Sequence, residues 1–157
     1  MGRNILAVIA GYFAMAVILF VIFTAAYFGM GADRAFKETS YDVSTLWVAV
    51  SVIVGFFAAI VGGAVCGLVS RRSRGATLSL MVLVLVLAAV SAGMALAKEK
   101  PVGEDAIRGP ETSNTDAMMR AQQPSWFLVA NPIIGVFGVM TGAMMVGAWR
   151  PKPSDQE

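Results

Sequence analysis

The chain has 157 residues, enough for one compact domain. Its hydrophobic fraction of 57% and charged fraction of 14% depart from the roughly 45–50% and about 25% of soluble domains. The net charge of +2 is small and no nucleic-acid partner is expected; the absence of histidine removes imidazole ligation of haem, chlorophyll or zinc and any Ser-His or Cys-His nucleophile pair.

The apolar excess is blocked rather than spread. Ile5–Met30, Leu46–Val69, Ala76–Ala97 and Trp126–Trp149 contain no Asp, Glu, Lys or Arg. Each exceeds the ~20 residues that cross a ~30 Å hydrocarbon layer as a helix. The expected fold class is all-α: an integral membrane protein with a single four-helix transmembrane domain arranged as two antiparallel hairpins. The spans are placed at about 4–30, 45–70, 76–97 and 125–149, with outer loops 31–44 and 98–124 and a cytoplasmic turn at 71–75.

Span one follows Arg3 and is apolar on every side, as a lipid-facing helix is. It exceeds the apolar length of a cleaved leader and reads as a retained signal anchor. Tyr27 and Phe28 fall near its outer end, and Gly29 and Gly31 can terminate it. The short link "ADRAFKETSYDVST" offers Asp42 or Ser44 as the N-cap of span two, at whose entrance Trp47 stands as an interfacial residue.

Span two carries "AAIVGGAVCG", which places Ala59, Gly63 and Gly67 at every fourth position. Small residues so spaced let helix backbones approach closely in lipid, where little hydrophobic drive exists between helices. Cys66, the one cysteine, reads as a small packing residue and rules out an intramolecular disulfide. The next link, "SRRSRG", holds Arg71, Arg72 and Arg74 without an acid. Short Arg-rich links stay in the cytoplasm, so this turn and both termini are expected there, most plausibly at a bacterial inner membrane. Contact of these arginines with anionic lipid heads is a secondary expectation.

Span three ends at "KEKP", where Pro101 cannot continue a helix. The long link that follows holds five acids and four bases. Within it "TDAMMRAQQ" is expected to form a short amphipathic helix with Met118 and Met119 on the membrane surface. Glu104, Asp105, Glu111 and Asp116 match no calcium-loop spacing and read as a solvated acidic loop.

Span four, "FLVANPIIGVFGVMTGAMMVGAWR", repeats the small-residue spacing at Gly138 and Gly142, with Gly135 and Gly147 nearby. A constant offset superimposes Trp47 on Trp126, Ala59 on Gly138, Gly63 on Gly142 and Arg71 on Arg150, a weak echo of a parallel repeat. Trp126 and Trp149 are expected at the two membrane interfaces. Asn131-Pro132 admits two readings. Asn131 caps a helix starting at Pro132, leaving roughly 27 Å of span, or the helix starts near Ser125 and bends at Pro132. Both are structural and both keep Asn131 within a turn or two of the outer face.

No span carries a carboxylate, lysine or histidine for a proton relay, and no phosphate-binding glycine motif is present. The expected function is therefore non-catalytic: an accessory, assembly or structural subunit packing against other transmembrane subunits, with membrane lipids as its other contacts. The alternative is a small channel or carrier built at a homo-oligomer axis from Asn131, Thr141 and the glycine faces. No cofactor is expected, although apolar contact alone can hold a lipid, quinone or pigment.

Overall fold

The structure, a computed structural model, describes residues 2–97, 107–109, 112 and 114–149. Pro101, Glu104, Asp105, Glu111, Arg150 and the charged tail beyond it lie outside the described residues, as does the side chain of Met118. The chain is all-α: α1 (Gly2–Met30), the single turn α2 (Ala32–Ala35), α3 (Thr45–Val69), α4 (Arg74–Ala97), the short α5 (Asn114–Arg120) and α6 (Ser125–Met145). Four of them, with 29, 25, 24 and 21 residues, are long and apolar enough to cross a membrane. At 1.5 Å per residue α1 is roughly 43 Å long, more than a hydrocarbon layer, so it tilts or projects into the interface.

The ends of these helices follow local chemistry. Ser44 caps α3: its Oγ accepts from the Trp47 N–H at 3.1 Å and donates to the Arg34 carbonyl at 2.6 Å. Of the two expected caps, Ser44 rather than Asp42 is used. Gly31 (φ 72°) follows the last residue of α1 in the left-handed conformation that glycine adopts without penalty. At the far end of α6 the Gly147 N–H donates to Met144 at 2.9 Å and the Ala148 N–H to Ala143 at 2.9 Å. This is a Schellman stop with Gly147 (φ 80°) at its left-handed position. It ends α6 at Met145 although the apolar run continues to Trp149. The same bonds close α3, from Arg71 to Leu68 and from Arg72 to Gly67, but there two arginines (φ 54° and 66°) take the left-handed conformation.

The core is built around α3, which packs on α6 along one face and on α1 along another; α4 packs on α6 and, less extensively, on α1. The α3–α6 contact is parallel and reciprocal. A Cβ on Gly63 would run into the Val139 carbonyl, and one on Gly142 into the Ile60 carbonyl. Under the offset that superimposes Trp47 on Trp126, Gly63 corresponds to Gly142 and Ile60 to Val139. Each contact is thus the image of the other. Gly138 against Ala59 and Gly67 against Val146 pair positions that the offset makes equivalent, as expected on a local two-fold axis. The two small-residue faces therefore pack against each other within one chain.

A second close crossing joins α1 to α3. A Cβ on Gly11 would stand 2.7 Å from the Gly62 carbonyl and 2.9 Å from the Cys66 Cβ. Cys66 is fully buried there beside Leu80, as expected of a packing residue. In α4 the buried residues are Ala76, Thr77, Leu80 and Met81, all in its first two turns. Beyond Met81 no residue of that helix is fully buried, although Val84 still packs against the core and beside Gly135.

The loops at the opposite end from the arginine turn fold into a cap. Phe36 pairs with Val43, and Asp42 with Gln122, while the Arg108 N–H donates to Thr39 at 3.0 Å. Tyr27, Phe36, Val43, Val48, Ala117 and Phe127 close a second apolar cluster at these isolated bridges. α5 lies here with Ala117 turned inward and Met119 exposed, the amphipathic arrangement its sequence suggests.

Candidate functional site

Toward the loop end the close backbone contacts of α3 with α6 give way to a cavity. On α3 the face that meets α6 passes from Gly63 and Ala59 to Gly55. On α6 it passes to Asn131 and Pro132. α6 begins at Ser125 and continues through Pro132, so Asn131 does not cap a helix. Proline has no N–H for the Leu128 carbonyl, and such a site bends a helix.

The space left between α1, α3, α4 and α6 is a cavity of about 450 Å³. Its walls are Met15, Leu19 and Phe23 on α1, Trp47, Ser51 and Gly55 on α3, Val84 and Ala88 on α4, and Phe127, Asn131, Pro132 and Gly135 on α6. Phe36, Val43, Ala121 and Gln123 of the cap form its roof. A second chamber, also about 450 Å³, lies between α4 and the start of α6 and is lined by Ala88, Ser91, Ala92 and Ala95. The two meet at Ala88, Ala121, Gln123, Asn131 and Pro132.

The walls of the first chamber are mainly apolar and aromatic, whereas about half of the second chamber's wall is polar. Trp47 packs on Phe23 at 5.8 Å and edge-on to Tyr27 at 5.9 Å. The polar side chains are the amides of Asn131, Gln122 and Gln123 and the hydroxyls of Ser51, Ser91 and Tyr27. A Cβ added at Gly55 would stand 3.7 Å from Asn131 Oδ1, so the lack of a side chain there keeps room before the amide. None of the described hydrogen bonds involves the Asn131 amide. No charged side chain lines either chamber among the described residues. Two cations of the cap lie outside the lining: Arg108 stacks over the roof residue Phe36 at 5.7 Å, and Arg120 over Tyr41 at 5.7 Å. Such a lining can orient and hydrogen-bond a molecule, but it offers no carboxylate, thiol or amine to react with it.

The other sequence-selected residues lie apart from this cavity. Ala59, Gly63, Gly67, Gly138 and Gly142 form the α3–α6 contact. Arg71 and Arg72 shape the turn between α3 and α4. Arg74 reaches α6: its Nη2 donates to the Trp149 carbonyl at 3.2 Å and its guanidinium stands 5.9 Å over the indole. Trp126 is exposed and meets Phe127 edge-on at 5.9 Å, whereas Trp47 is half-buried and lines the chamber. Thr141 Oγ1 donates to its own helix at Phe137, 2.8 Å away, so its hydroxyl needs no pathway to face.

Sequence reasoning missed Ser51, Gly55, Gln123 and the small face of α4. A weak signal exists: Ala88, Ser91, Ala92 and Ala95 recur at helical spacing. No family model matches this chain, and neither a curated protein nor a solved structure matches it.

Proposed function

We propose that the chain is a non-catalytic accessory or structural subunit of a larger membrane complex, crossing a bacterial inner membrane as two antiparallel hairpins with both termini in the cytoplasm. What supports this reading is the isolation of α4. Its last buried residue is Met81, and from Val82 to Ala97 it leaves a broad apolar surface uncovered by the rest of the chain. Val82, Val86 and Val90, four residues apart, make a ridge on the side facing away from the chambers, and Gly93 beside it has nothing within 4 Å. A ridge next to a small residue suits the approach of another helix. The glycine faces of α3 and α6 do not contribute, because they are already packed on each other.

For the alternative, a channel at a homo-oligomer axis, Thr141 offers little, since its hydroxyl is bonded to its own helix.

The test is a photo-crosslinking amino acid at Val86 or Val90, with Phe20 on α1 as the comparison, in cells making the full chain. The expected result is one polypeptide attached at both α4 positions and not at Phe20, present in fixed ratio in native mass spectra of the extracted complex. A clean homo-oligomer in those spectra, or lipid adducts alone at every position, overturns the proposal.

A further inference from the structure

We infer that the two joined chambers are a binding site for a neutral amphiphile, an apolar chain carrying an uncharged head whose oxygens accept hydrogen bonds. It enters sideways from the bilayer between α4 and α6. This site is independent of whether a partner subunit exists.

Size comes first. Two adjoining spaces of about 450 Å³ each fall within the roughly 300–1,000 Å³ of small-molecule sites; the inner one has the apolar walls and few polar groups usual in such sites, and the outer one, about half polar, suits a head group. The polar groups then select the head. Asn131 presents two N–H donors and a carbonyl to the junction of the chambers, with Gln123 beside it and Ser51 across from it on α3. Asn131 is exposed and none of the described hydrogen bonds involves its amide, so its donors are available to a ligand oxygen.

Charge selects further. Among the described residues no cation lines either chamber, so the lining itself offers a fatty-acid carboxylate or a phosphate head no ionic partner, which disfavours it against an uncharged head. Phe23, Trp47 and Phe127 give flat apolar surface for a ring or chain in the inner chamber. The way in follows from α4. Its small face of Ala88, Ser91, Ala92 and Ala95 leaves a slot against α6, and beyond Val84 no residue of α4 packs on the core cluster. Met15 and Gly135 line the inner chamber on the side of the glycine crossing, where α3 and α6 are at backbone contact. A quinone and an acylglycerol both carry carbonyl oxygens on an apolar chain, and the experiment separates them.

The full chain is purified in mild detergent with Trp126→Phe and Trp149→Phe, which leaves Trp47 in the chamber wall as reporter. Three probes are titrated: a short-chain menaquinone, a dibrominated dioctanoylglycerol and a dibrominated fatty acid. Saturable quenching of Trp47 is expected with one or both neutral probes, and which of them saturates identifies the source of the head. Asn131→Leu should weaken that binding about tenfold, the loss of one or two hydrogen bonds. Ala88→Phe should abolish it by filling the junction, and Thr141→Val should leave it unchanged. If Ala88→Phe fails to fold, Asn131→Leu and Ser51→Ala carry the test. Quenching that rises linearly with the probe-to-detergent ratio overturns the inference. So does saturable quenching unchanged in Asn131→Leu, or fatty acid bound as tightly as the neutral probes.

Discussion

At the scale of single residues, the glycines separate by what surrounds them. The space for a Cβ at Gly63 and Gly142 is taken by the backbone carbonyls of Val139 and Ile60, which cannot rotate away as a side chain can. Gly63→Ala or Gly142→Ala must part α3 from α6, and each should destabilise the chain by about 1–3 kcal/mol. Gly93→Ala, in open space, should stay within about 0.5 kcal/mol of the parent. Unfolding in mixed micelles with increasing dodecyl sulfate measures all three; equal effects would mean that the close crossing is absent. The helix stops give a pair of opposite sign. Gly147 and Arg71 hold the same left-handed position in two Schellman stops, with φ of 80° and 54°. An L side chain pays about 1 kcal/mol there. Gly147→Ala should therefore lower stability by about that much and Arg71→Gly raise it by about 0.5–1 kcal/mol in the same titration. The spacing Ala59-Gly63-Gly67 is legible in the sequence because period four is a property of one helix. That its partner is Gly138-Gly142 of the same chain is not, since the stripe would look the same if it met another molecule.

Among whole elements, α6 shows most clearly where composition runs out. An apolar run from Trp126 to Trp149 reads as one span, yet the helix stops at Met145. The stop lies in the φ of Gly147 and two backbone hydrogen bonds, which hydrophobicity does not report. At its other end Asn131-Pro132 is compatible with a cap or with a bend. Proline fixes its own φ and hinders the preceding turn, but residues 125–130 still find helical partners, the Phe127 N–H donating to Pro124 at 3.0 Å. The small residues at Gly55 and Ala88, brought together from α3 and α4 beside Pro132 of α6, line space that no one segment encodes, which is why the cavity is invisible in the sequence. Pro132→Ala gives the Leu128 carbonyl a donor again and should straighten α6. Stability should rise by about 1–3 kcal/mol in the same dodecyl sulfate titration. A fall instead would mean that the bend is held by packing around Pro132 and not by its missing N–H.

Across the whole molecule, the four spans are readable because a run without charge is a one-dimensional property, and so is the clustering of Arg71, Arg72 and Arg74. Orientation follows from those arginines only if they decide it. Arg74 also has a structural role, since it bonds the Trp149 carbonyl and stacks on the indole, tying the start of α4 to the end of α6. The two roles separate in a labelling experiment. Cys66 is fully buried, so Cys66→Ala gives a background without a competing thiol. Glu38→Cys then reports the loop end and Gly75→Cys the arginine turn, both being exposed positions. An impermeant maleimide on intact spheroplasts should label Glu38→Cys at once and Gly75→Cys only after permeabilisation; the reverse pattern would place both termini outside. Changing Arg71 and Arg72 to Gln leaves the Arg74–Trp149 contact in place while removing two of the three charges of the turn. If charge sets the orientation, Gly75→Cys in that background becomes partly accessible in intact cells, because the turn then keeps Arg74 alone against Arg34 and Lys37 in the other short link. If labelling is unchanged, one arginine is sufficient, or the direction in which α1 inserts fixes the helices that follow it.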